Sequence, residues 1–425
     1  MLEIVLYVLS VLAVSMFFQE KFKFPLPVSL LSLAIVGSSL GLVDIEMDSL
    51  MFPAFVLALL PLLIAGDAAS IKFDDFKRHW FRFLYLACVS IALSVCAALA
   101  IHTVVLSDYE MSILALALLY IPATATDPVA VGAVMGGNKS IPRDLKICAE
   151  AESLLNDLFA LIFFSVCITL LSFEGDGSGT AQYLSLGVDV GVMILLPLVF
   201  GLVVGLIGTY LLGMSDDPVL ETIIIILSSY CSFYASEHYH ASGILAIVVT
   251  VVIQIYFVDK MIKVEESAIA QAEDSGDTKR LKRLVVSKEN HEMVMKYIKA
   301  FGLLAISAIF VAMAAIMDWS LMLEHWLAIV VIFLSTTVIR FIMITKFVGI
   351  TNMTDRLENM RYSWIPVMGF AGVRGALSIV MLSFLPEGYE HKEMSEAIVF
   401  GVIVLSTMIF PLALQLTLKI LKGRL

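Results

Sequence analysis

Three acidic side chains lie inside apolar stretches of the sequence, where a charge is costly. Asp127 occurs in ATATDPVAVG, and Glu152 and Asp157 occur in AEAESLLNDLFALIF. A charged side chain at the centre of a bilayer costs roughly 2.5–3.5 kcal/mol on insertion scales and usually marks an ion path. Arg374, in GFAGVRGALSIVM, is the one basic residue of this kind, so a purely structural ion-pair network would leave two carboxylates uncompensated. The pattern therefore predicts a site that a proton or a metal cation visits.

Helical spacing divides the second acidic motif into two polar stripes. Ser153 and Asp157 are four residues apart, which places both on one face of a helix. Glu152 and Asn156 share the neighbouring face in the same way. A hydroxyl and a carboxylate are hard oxygen ligands, so the first pair suits a small hard cation. We expect Glu152 to pair instead with Arg374, because a bidentate contact would neutralise both charges.

Two prolines flank the threonine-rich part of the first acidic motif. Pro128 disfavours helical geometry at Asp127, and Pro122 does the same at Ile121. Between them, residues 123–126 (ATAT) can run extended and present carbonyl and hydroxyl oxygens. Unwound backbone at membrane depth is tolerated only where it is buried in protein or lines a cavity. Because a carboxylate follows it directly, we expect this segment to line the cation site rather than to be a simple proline kink.

A second interrupted helix is predicted around Arg374. Four residues that disfavour a continuous helix are clustered there: Pro366, Gly369, Gly372 and Gly375. Glycines alone could serve close helix packing. Interrupted spans in corresponding halves of a transporter are nevertheless the strongest sequence indication of its binding site. The two interrupted spans are the fifth and twelfth of those counted below, so they run in opposite directions, as an inverted repeat requires.

The elements that must position these residues are membrane spans. The chain of 425 residues is 60% hydrophobic and 15% charged, whereas a soluble domain averages about 45–50% apolar and about 25% charged. This composition predicts an all-α integral membrane protein, and the net charge of −11 argues against a nucleic-acid partner. Thirteen apolar runs are long enough to cross a bilayer: 3–18, 27–42, 51–66, 82–106, 111–135, 145–172, 183–212, 219–236, 242–258, 297–317, 322–345, 361–385 and 395–421.

The basic residues support this count and give it an orientation. All of the 27 lysines and arginines except Arg374 and Lys392 are assigned to connections on one side. The positive-inside rule makes that side cytoplasmic, so we expect an outer N-terminus and a cytoplasmic C-terminus. The long polar segment 259–296 lies on the cytoplasmic side. It is predicted to be a linker with two short helices or, alternatively, a regulatory lip over the inner mouth.

Four motifs occur in an order that resembles a known family. They are TDPVAV at 126–131, ESLLND at 152–157, HASGILAIVV at 240–249 and GVRGALSIV at 372–380. Together they resemble the NhaP/NHE-type sodium/proton antiporters of the monovalent cation/proton antiporter family, from about the second span to the thirteenth. The resemblance implies an NhaA-like inverted-repeat fold of thirteen transmembrane helices with two crossed discontinuous helices. It also implies a homodimer in the lipid bilayer.

The matched motifs imply a role for each residue and each part of the chain. Sodium or protons would be held by Asp127, Ser153, Asp157 and the Thr126 backbone, with Asn156 steadying the broken helix and Glu152 paired with Arg374. Residues 1–66 would form dimer-interface helices, and 82–172 and 322–421 would form the core. Residues 183–317 would supply a linker helix and further interface helices, including the loop 259–296.

The implied activity is exchange of one Na⁺ or Li⁺ for one proton by alternating access at the cell membrane, with a role in pH and sodium homeostasis. Asn rather than Asp at position 156 resembles the electroneutral branch of the family. No cofactor is implied. A K⁺-preferring antiporter and a cation channel on the same fold remain open. An intramembrane aspartyl protease also uses two membrane aspartates, but it would leave Ser153, Asn156 and Arg374 without a role, so we do not expect an enzyme.

One position departs from the family pattern. The third span of the family often contains a glutamate in an LLFEGG-like stretch, whereas this chain has LLIAGDAA, with Ala65 at that place and Asp67 two residues later. Two residues along a helix lead to a different face. We therefore expect that the role of the glutamate is lost, or that Asp67 serves as an inner-end residue near water. Ion selectivity is the property that this difference affects.

Overall fold

The protein was analysed as a computed structural model, which is helical throughout its regular structure in the residues that it describes. These are 2–42, 51–68, 85, 89, 91–97, 100–101, 111–127, 131–132, 135, 141–173, 180–215, 217–239, 241–275, 278–353, 360–386 and 388–421. In chain order the helices are α1 (Leu2–Phe22), α2 (Leu26–Ser39), α3 (Met51–Ala68), α4 (Ile113–Thr124), α5 (Arg143–Phe173), α6 (Thr180–Leu212), α7 (Pro218–His238), α8 (Gly243–Ser275), α9 (Thr278–Ile316), α10 (Trp319–Glu324), α11 (Trp326–Met353), α12 (Trp364–Phe370), α13 (Ala376–Ser383) and α14 (Lys392–Ile420).

The prediction of an all-α membrane protein is confirmed. Within the described ranges, 9 helices are long and apolar enough to cross a membrane, and α2 and α4 are shorter apolar helices. Except for 82–106 and 361–385, each predicted span overlaps one of these helices. The split between 219–236 and 242–258 is real, because α7 ends at His238 and α8 begins at Gly243. The predicted span 82–106 lies mostly outside the described residues. The count of thirteen spans and the crossing of two of them stay predictions.

Both helices that were expected to be discontinuous are interrupted. α4 ends at Thr124, residues 125–127 are not helical, and the chain is helical again at Val131. Non-helical residues 371–375 separate α12 from α13. The first interruption is shorter than predicted, because Ala123 and Thr124 remain helical. Pro122 lacks the N–H that would donate to the carbonyl four residues back, so it removes one helical hydrogen bond without ending the helix at once.

The polar segment 259–296 is helical in two pieces, as predicted, but these are not separate short helices. Its residues extend α8 and α9, which run to Ser275 and from Thr278. With 33 and 39 residues, the two helices are about 50 and 58 Å long at about 1.5 Å per residue, well beyond a hydrocarbon core of about 30 Å. Each helix therefore continues past the membrane at the end where the two meet.

The chain divides into two compact units. Unit 1 comprises 1–57, 79–176 and 306–425, and unit 2 comprises 58–78 and 177–305. In unit 1, α4 is the central element, packed against α5, α11, α13 and α14. All its side chains from Ala115 to Thr124 are buried, which is why an apolar sequence without a polar face is stable there. In unit 2, α6, α7 and α8 pack on one another.

Candidate cation site

Asp127 lies where the two interrupted helices meet. Its main-chain N–H donates to the carbonyl of Val373, at 2.7 Å, which ties the first interruption to the second. Its own carbonyl accepts from Val131 N at 3.3 Å. Asp127 is only 6% exposed.

Thr126 connects the first interruption to α5. Its N–H donates to Asp157 Oδ1 at 2.7 Å, and its hydroxyl accepts from Ser153 Oγ at 2.8 Å. The first of these bonds requires that Thr126 is not helical, because a helical amide would already donate to the carbonyl four residues back. The structure thus brings Asp127, Ser153 and Asp157 to one buried place, with Thr126 between them. A hydroxyl, two carboxylates and neighbouring carbonyls are a donor set that suits a small hard cation.

The C-terminal end of α4 is capped by side chains. The carbonyl of Thr124 accepts from Asn156 Nδ2 at 2.8 Å and from Arg374 Nη1 at 3.4 Å. Asn156 Nδ2 also contacts Thr126 Oγ1 at 3.3 Å, and Arg374 Nη1 also contacts the carbonyl of Gly372 at 3.3 Å. Carbonyls at a helix end lack intrahelical donors, so these side chains satisfy groups that the interruption exposes. Arg374 bridges the two interruptions.

The expected ion pair between Glu152 and Arg374 is wrong. Glu152 forms a bidentate pair with Arg340 of α11, with Nη1–Oε1 at 2.9 Å and Nη2–Oε2 at 2.6 Å. Both side chains are buried, and Arg340 Nη2 also donates to the carbonyl of Met368 at 3.3 Å. Arg374 instead donates to main-chain carbonyls of both interruptions and interacts electrostatically with Glu152 and Asp157. Spacing along α5 places Glu152 on a face but cannot tell which helix packs there.

Arg340 is the residue that the sequence analysis assigned wrongly. It was counted with the cytoplasmic connection after the span 322–345, although that span contains it, and it lies inside α11 and is 4% exposed. The signal was present, because the apolar residues FIMIT follow it and a longer apolar run precedes it. Arg340 is therefore, like Arg374, a buried cation inside an apolar segment. One basic residue fewer supports the positive-inside assignment, and the assigned orientation of the chain is unchanged.

The corrected pairing changes the charge balance of unit 1. Among its described residues, the buried charged side chains are Asp127, Glu152, Asp157, Arg340 and Arg374. Glu152 and Arg340 neutralise each other. Arg374 is then the remaining buried cation of this set against two aspartates, so the site with both aspartates ionised carries one more negative than positive charge. One monovalent cation or one proton restores neutrality.

At two glycines of the second interruption, side chains of the site occupy the space that a Cβ would fill. A Cβ at Gly375 would lie 2.6 Å from Asp127 Oδ2 and would overlap the Asp127 Cβ. A Cβ at Gly372 would lie 2.7 Å from Arg340 Cδ. The glycines therefore permit a close approach of functional side chains to the backbone. The alternative, that these glycines only allow helices to pack closely, does not account for the Asp127 and Arg340 side chains that lie against them.

Ala65, which stands where the family often has a glutamate, lies in unit 2. Ala65 and Asp67 are both on α3, in the part that belongs to unit 2, and both are buried. Asp67 is 7% exposed. The two residues therefore occupy different places on one helix, as their spacing requires.

Comparison with known proteins extends over the whole chain. Residues 7–420 match the family described as "Sodium/hydrogen exchanger, transmembrane". The Na(+)/H(+) antiporter NhaH of Halobacillus dabanensis is 23% identical, over 92% of this chain and 91% of that protein. The antiporter ApNhaP of Aphanothece halophytica is 24% identical, over 98% of this chain and 73% of that protein.

A solved structure shares the fold. The sodium proton antiporter MjNhaP1 from Methanocaldococcus jannaschii superposes with a TM-score of 0.75, at 15% identity and over 99% of both chains. The match of the family profile to nearly the full length agrees with the interrupted helices and the buried acidic site. The chain belongs to the sodium/hydrogen exchanger family, whose NhaP/NHE-type members are cation/proton antiporters.

Proposed function

We propose that this chain exchanges Na⁺ or Li⁺ for a proton across the cell membrane, one for one, and so contributes to pH and sodium homeostasis. The single observation that carries the proposal is the junction of Thr126 with Asp157, which places two buried carboxylates at an interrupted helix. Relatives along the whole chain are sodium/proton antiporters, which supports the choice of ion.

In this proposal sodium binds to Asp127, Ser153 and Asp157, with Thr126 completing the site. Sodium and a proton exclude each other, because each removes the negative charge that attracts the other. The Thr126 amide and the Ser153 hydroxyl hold the oxygens in place before the ion arrives. Preformed geometry lowers the ordering cost of binding.

The charge balance of the site supports one-for-one exchange. With Glu152 paired to Arg340, and Arg374 set against two aspartates, the ionised site has one excess negative charge. A single Na⁺ or a single proton neutralises it, and a neutral site crosses a low-dielectric barrier more readily than a charged one. Asn156 adds no charge to this count. An exchange that moved two protons per cation would protonate both aspartates and leave the loaded site with a net positive charge beside Arg374, which this argument disfavours.

The transport cycle that we propose is alternating access. The core (82–172 and 322–421) moves against the interface helices, which include 1–66, in a homodimer. The N-terminus is outside and the C-terminus cytoplasmic, as the distribution of basic residues indicates. Crosslinking of single-cysteine variants across a dimer, together with accessibility labelling of the two termini, tests the assembly and the orientation.

The deciding experiment measures proton flux in proteoliposomes. We expect that adding Na⁺ or Li⁺ to vesicles with a pH gradient evokes proton flux, and that Asp157→Asn abolishes it. Asp318→Asn is the matched control, since Asp318 caps α10 at an exposed position and Asn is an equally good N-cap. Full flux in Asp157→Asn, or none in the wild type, would overturn the proposal.

Two further arms separate the alternative activities. A valinomycin clamp that removes the membrane potential leaves electroneutral exchange unchanged, whereas it alters electrogenic exchange. Flux that is greater with K⁺ than with Na⁺ would identify a K⁺-preferring antiporter. Current that is independent of the pH gradient would identify a channel.

A further inference from the structure

Two hydroxyls of α14 hold the main chain of Arg374. Arg374 lies in the non-helical residues 371–375, where its N–H donates to Ser406 Oγ at 3.2 Å. Its carbonyl accepts from Thr407 Oγ1, also at 3.2 Å. Ser406 and Thr407 are adjacent on α14, and both are fully buried. Both main-chain polar groups of a residue outside any helix are therefore satisfied by one neighbouring helix, as buried backbone groups require.

The two hydroxyls complement the two main-chain groups. Ser406 Oγ donates its one proton to the carbonyl of Ile403 at 3.0 Å, which leaves a lone pair to accept from Arg374 N. Thr407 Oγ1 uses its proton for the Arg374 carbonyl. An acceptor and a donor thus lie side by side on α14, in the order that the N–H and C=O of Arg374 need. An apolar side chain at either position would leave a buried main-chain group without its partner.

The hydrogen-bond ladder of α14 is incomplete at the same place. Pro411 lies inside α14 and has no N–H. The carbonyl that it would otherwise reach is four residues back and belongs to Thr407. A helical turn with one hydrogen bond fewer bends more easily. This turn of α14 can therefore adapt its two hydroxyls to the non-helical backbone beside it.

The side chain of Arg374 is bound by weak partners for a buried cation. Its Nη1 donates to the carbonyls of Thr124 and Gly372 at 3.4 and 3.3 Å, and its Nε has no hydrogen-bond partner. Among the described residues, no carboxylate forms an ion pair with Arg374, although Asp157 interacts with it electrostatically. Guanidinium–carboxylate bonds are stronger than bonds to neutral carbonyls. The main chain must therefore hold this guanidinium away from the carboxylates of the cation site.

The same stretch of main chain also positions Asp127. The carbonyl of Val373, directly before Arg374, accepts from Asp127 N at 2.7 Å. A shift of the Arg374 peptide groups would move this carbonyl and, with it, Asp127. α14 is thus connected to the cation site by two routes, through the guanidinium of Arg374 and through the backbone of Asp127.

We propose that Ser406 and Thr407 are positioning residues of the cation site. They fix the main chain of Arg374 so that its guanidinium donates to main-chain carbonyls and leaves the oxygens of Asp127 and Asp157 to the transported cation. Without the hydroxyls, the guanidinium turns to a carboxylate and competes with Na⁺. The role in transport rests on the proposed exchange activity, whereas the effect on ion binding is measured without transport.

The Na⁺ dependence of thermal stability tests the effect on binding. With choline chloride keeping the ionic strength constant, we expect the Na⁺ concentration that gives half of the Tm shift to rise at least fivefold in Thr407→Val. Valine keeps the shape of threonine and removes the hydroxyl. Thr407→Ser keeps the hydroxyl and stays within twofold of wild type. Thr351→Val is the matched control and also stays within twofold, since Thr351 is fully buried and its hydroxyl bonds back to Val348 within α11.

Two outcomes would overturn the proposal: an unchanged half-point in Thr407→Val, or a rise in Thr407→Ser as large as that in Thr407→Val. A purely structural role would lower Tm equally with and without Na⁺ and so leave the half-point unchanged. If Thr407→Val does not fold, Ser406→Ala replaces it, with Ser406→Thr as the variant that keeps the hydroxyl, and the same outcomes decide. Absence of any Na⁺-dependent shift in wild type would instead refute the proposed cation site.

Transport kinetics then separate binding from turnover. In proteoliposomes we expect Thr407→Val to raise the KM for Na⁺ at least fivefold and to change the maximal rate less than twofold, because saturating Na⁺ displaces the guanidinium. Thr351→Val keeps the wild-type KM. A lower maximal rate at an unchanged KM would refute the positioning role, since loss of folded protein has that effect. Absence of cation-evoked flux in wild type would refute the proposed exchange, and the Tm measurement alone would then judge the two hydroxyls.

Discussion

Thr126 connects the two acidic residues of the cation site through its backbone. Its amide donates to Asp157, and the next residue along the chain is Asp127. The side chain of Asp127 occupies the space that a Cβ at Gly375 would fill. A threonine placed in this way works through its conformation as well as its hydroxyl. Small displacements at this point move both carboxylates at once, so the site tolerates little added volume on either side.

Substitution of Gly375 tests this close packing. We expect Gly375→Ala to raise the apparent KM for Na⁺ at least tenfold, because the new Cβ would overlap Asp127 and neither backbone can retreat easily. Gly349→Ala is the matched control in α11, since a Cβ there meets nothing within 4 Å. Proton flux at graded Na⁺ measures both. A KM unchanged in Gly375→Ala would show that Asp127 is not held where the structure places it.

The Glu152–Arg340 pair makes a prediction about stability. We expect Glu152→Gln to destabilise the protein by about 3–5 kcal/mol, because it leaves a buried guanidinium without its counter-charge. The double variant Glu152→Gln/Arg340→Met recovers much of the loss, since no buried charge is then unpaired. Thermal unfolding in detergent measures the three proteins. A single variant as stable as wild type would contradict the pairing.

At the scale of elements, two interrupted helices hold each other by backbone and side-chain contacts. The hydrogen bond from Asp127 N to the carbonyl of Val373 joins the two interruptions directly. Arg374 donates to the carbonyl of Thr124 at the first interruption and to that of Gly372 in the second. The amides of residues 125–127 therefore all have partners, as unwound backbone in a membrane requires. Asn156 is the α5 residue that supplies the remaining cap.

Removal of that cap should weaken the first interruption. We expect Asn156→Ala to destabilise the protein by about 1–3 kcal/mol, because a buried carbonyl at the end of α4 loses a donor. Ser383→Ala is the control, since the Ser383 hydroxyl only bonds back to Val380 within its own helix. Thermal unfolding compares the two. A loss in Ser383→Ala as large as that in Asn156→Ala would argue against a special role for Asn156.

On the scale of the whole molecule, binding of the transported ion should be visible as stability. We expect Na⁺ to raise Tm relative to equal choline chloride, since a ligand at a hundred times its Kd stabilises by about 2.7 kcal/mol. The shift disappears in Asp157→Asn and shrinks at acid pH, because protons neutralise the carboxylates that Na⁺ needs. A Tm shift retained in Asp157→Asn would place the bound ion elsewhere.

Much of this protein followed from local features of the chain. Hydropathy located the long helices, because a span must satisfy its backbone internally and face lipid. The paired acidic motifs located Asp127, Ser153 and Asp157, and the clustered prolines and glycines located both interruptions to within a few residues. These signals act over a few turns of one helix, which is the range that residue spacing describes.

Contacts between helices needed the folded chain. The count of basic residues treated Arg340 as a loop residue although the predicted span 322–345 contains it, and only the contact between α11 and α5 shows that Arg340, rather than Arg374, pairs with Glu152. The same holds for the main chain of Arg374, whose hydroxyl partners on α14 lie 32 and 33 residues away. Which faces of separate helices meet depends on the sum of many side-chain contacts, so spacing within one helix carries no information about it.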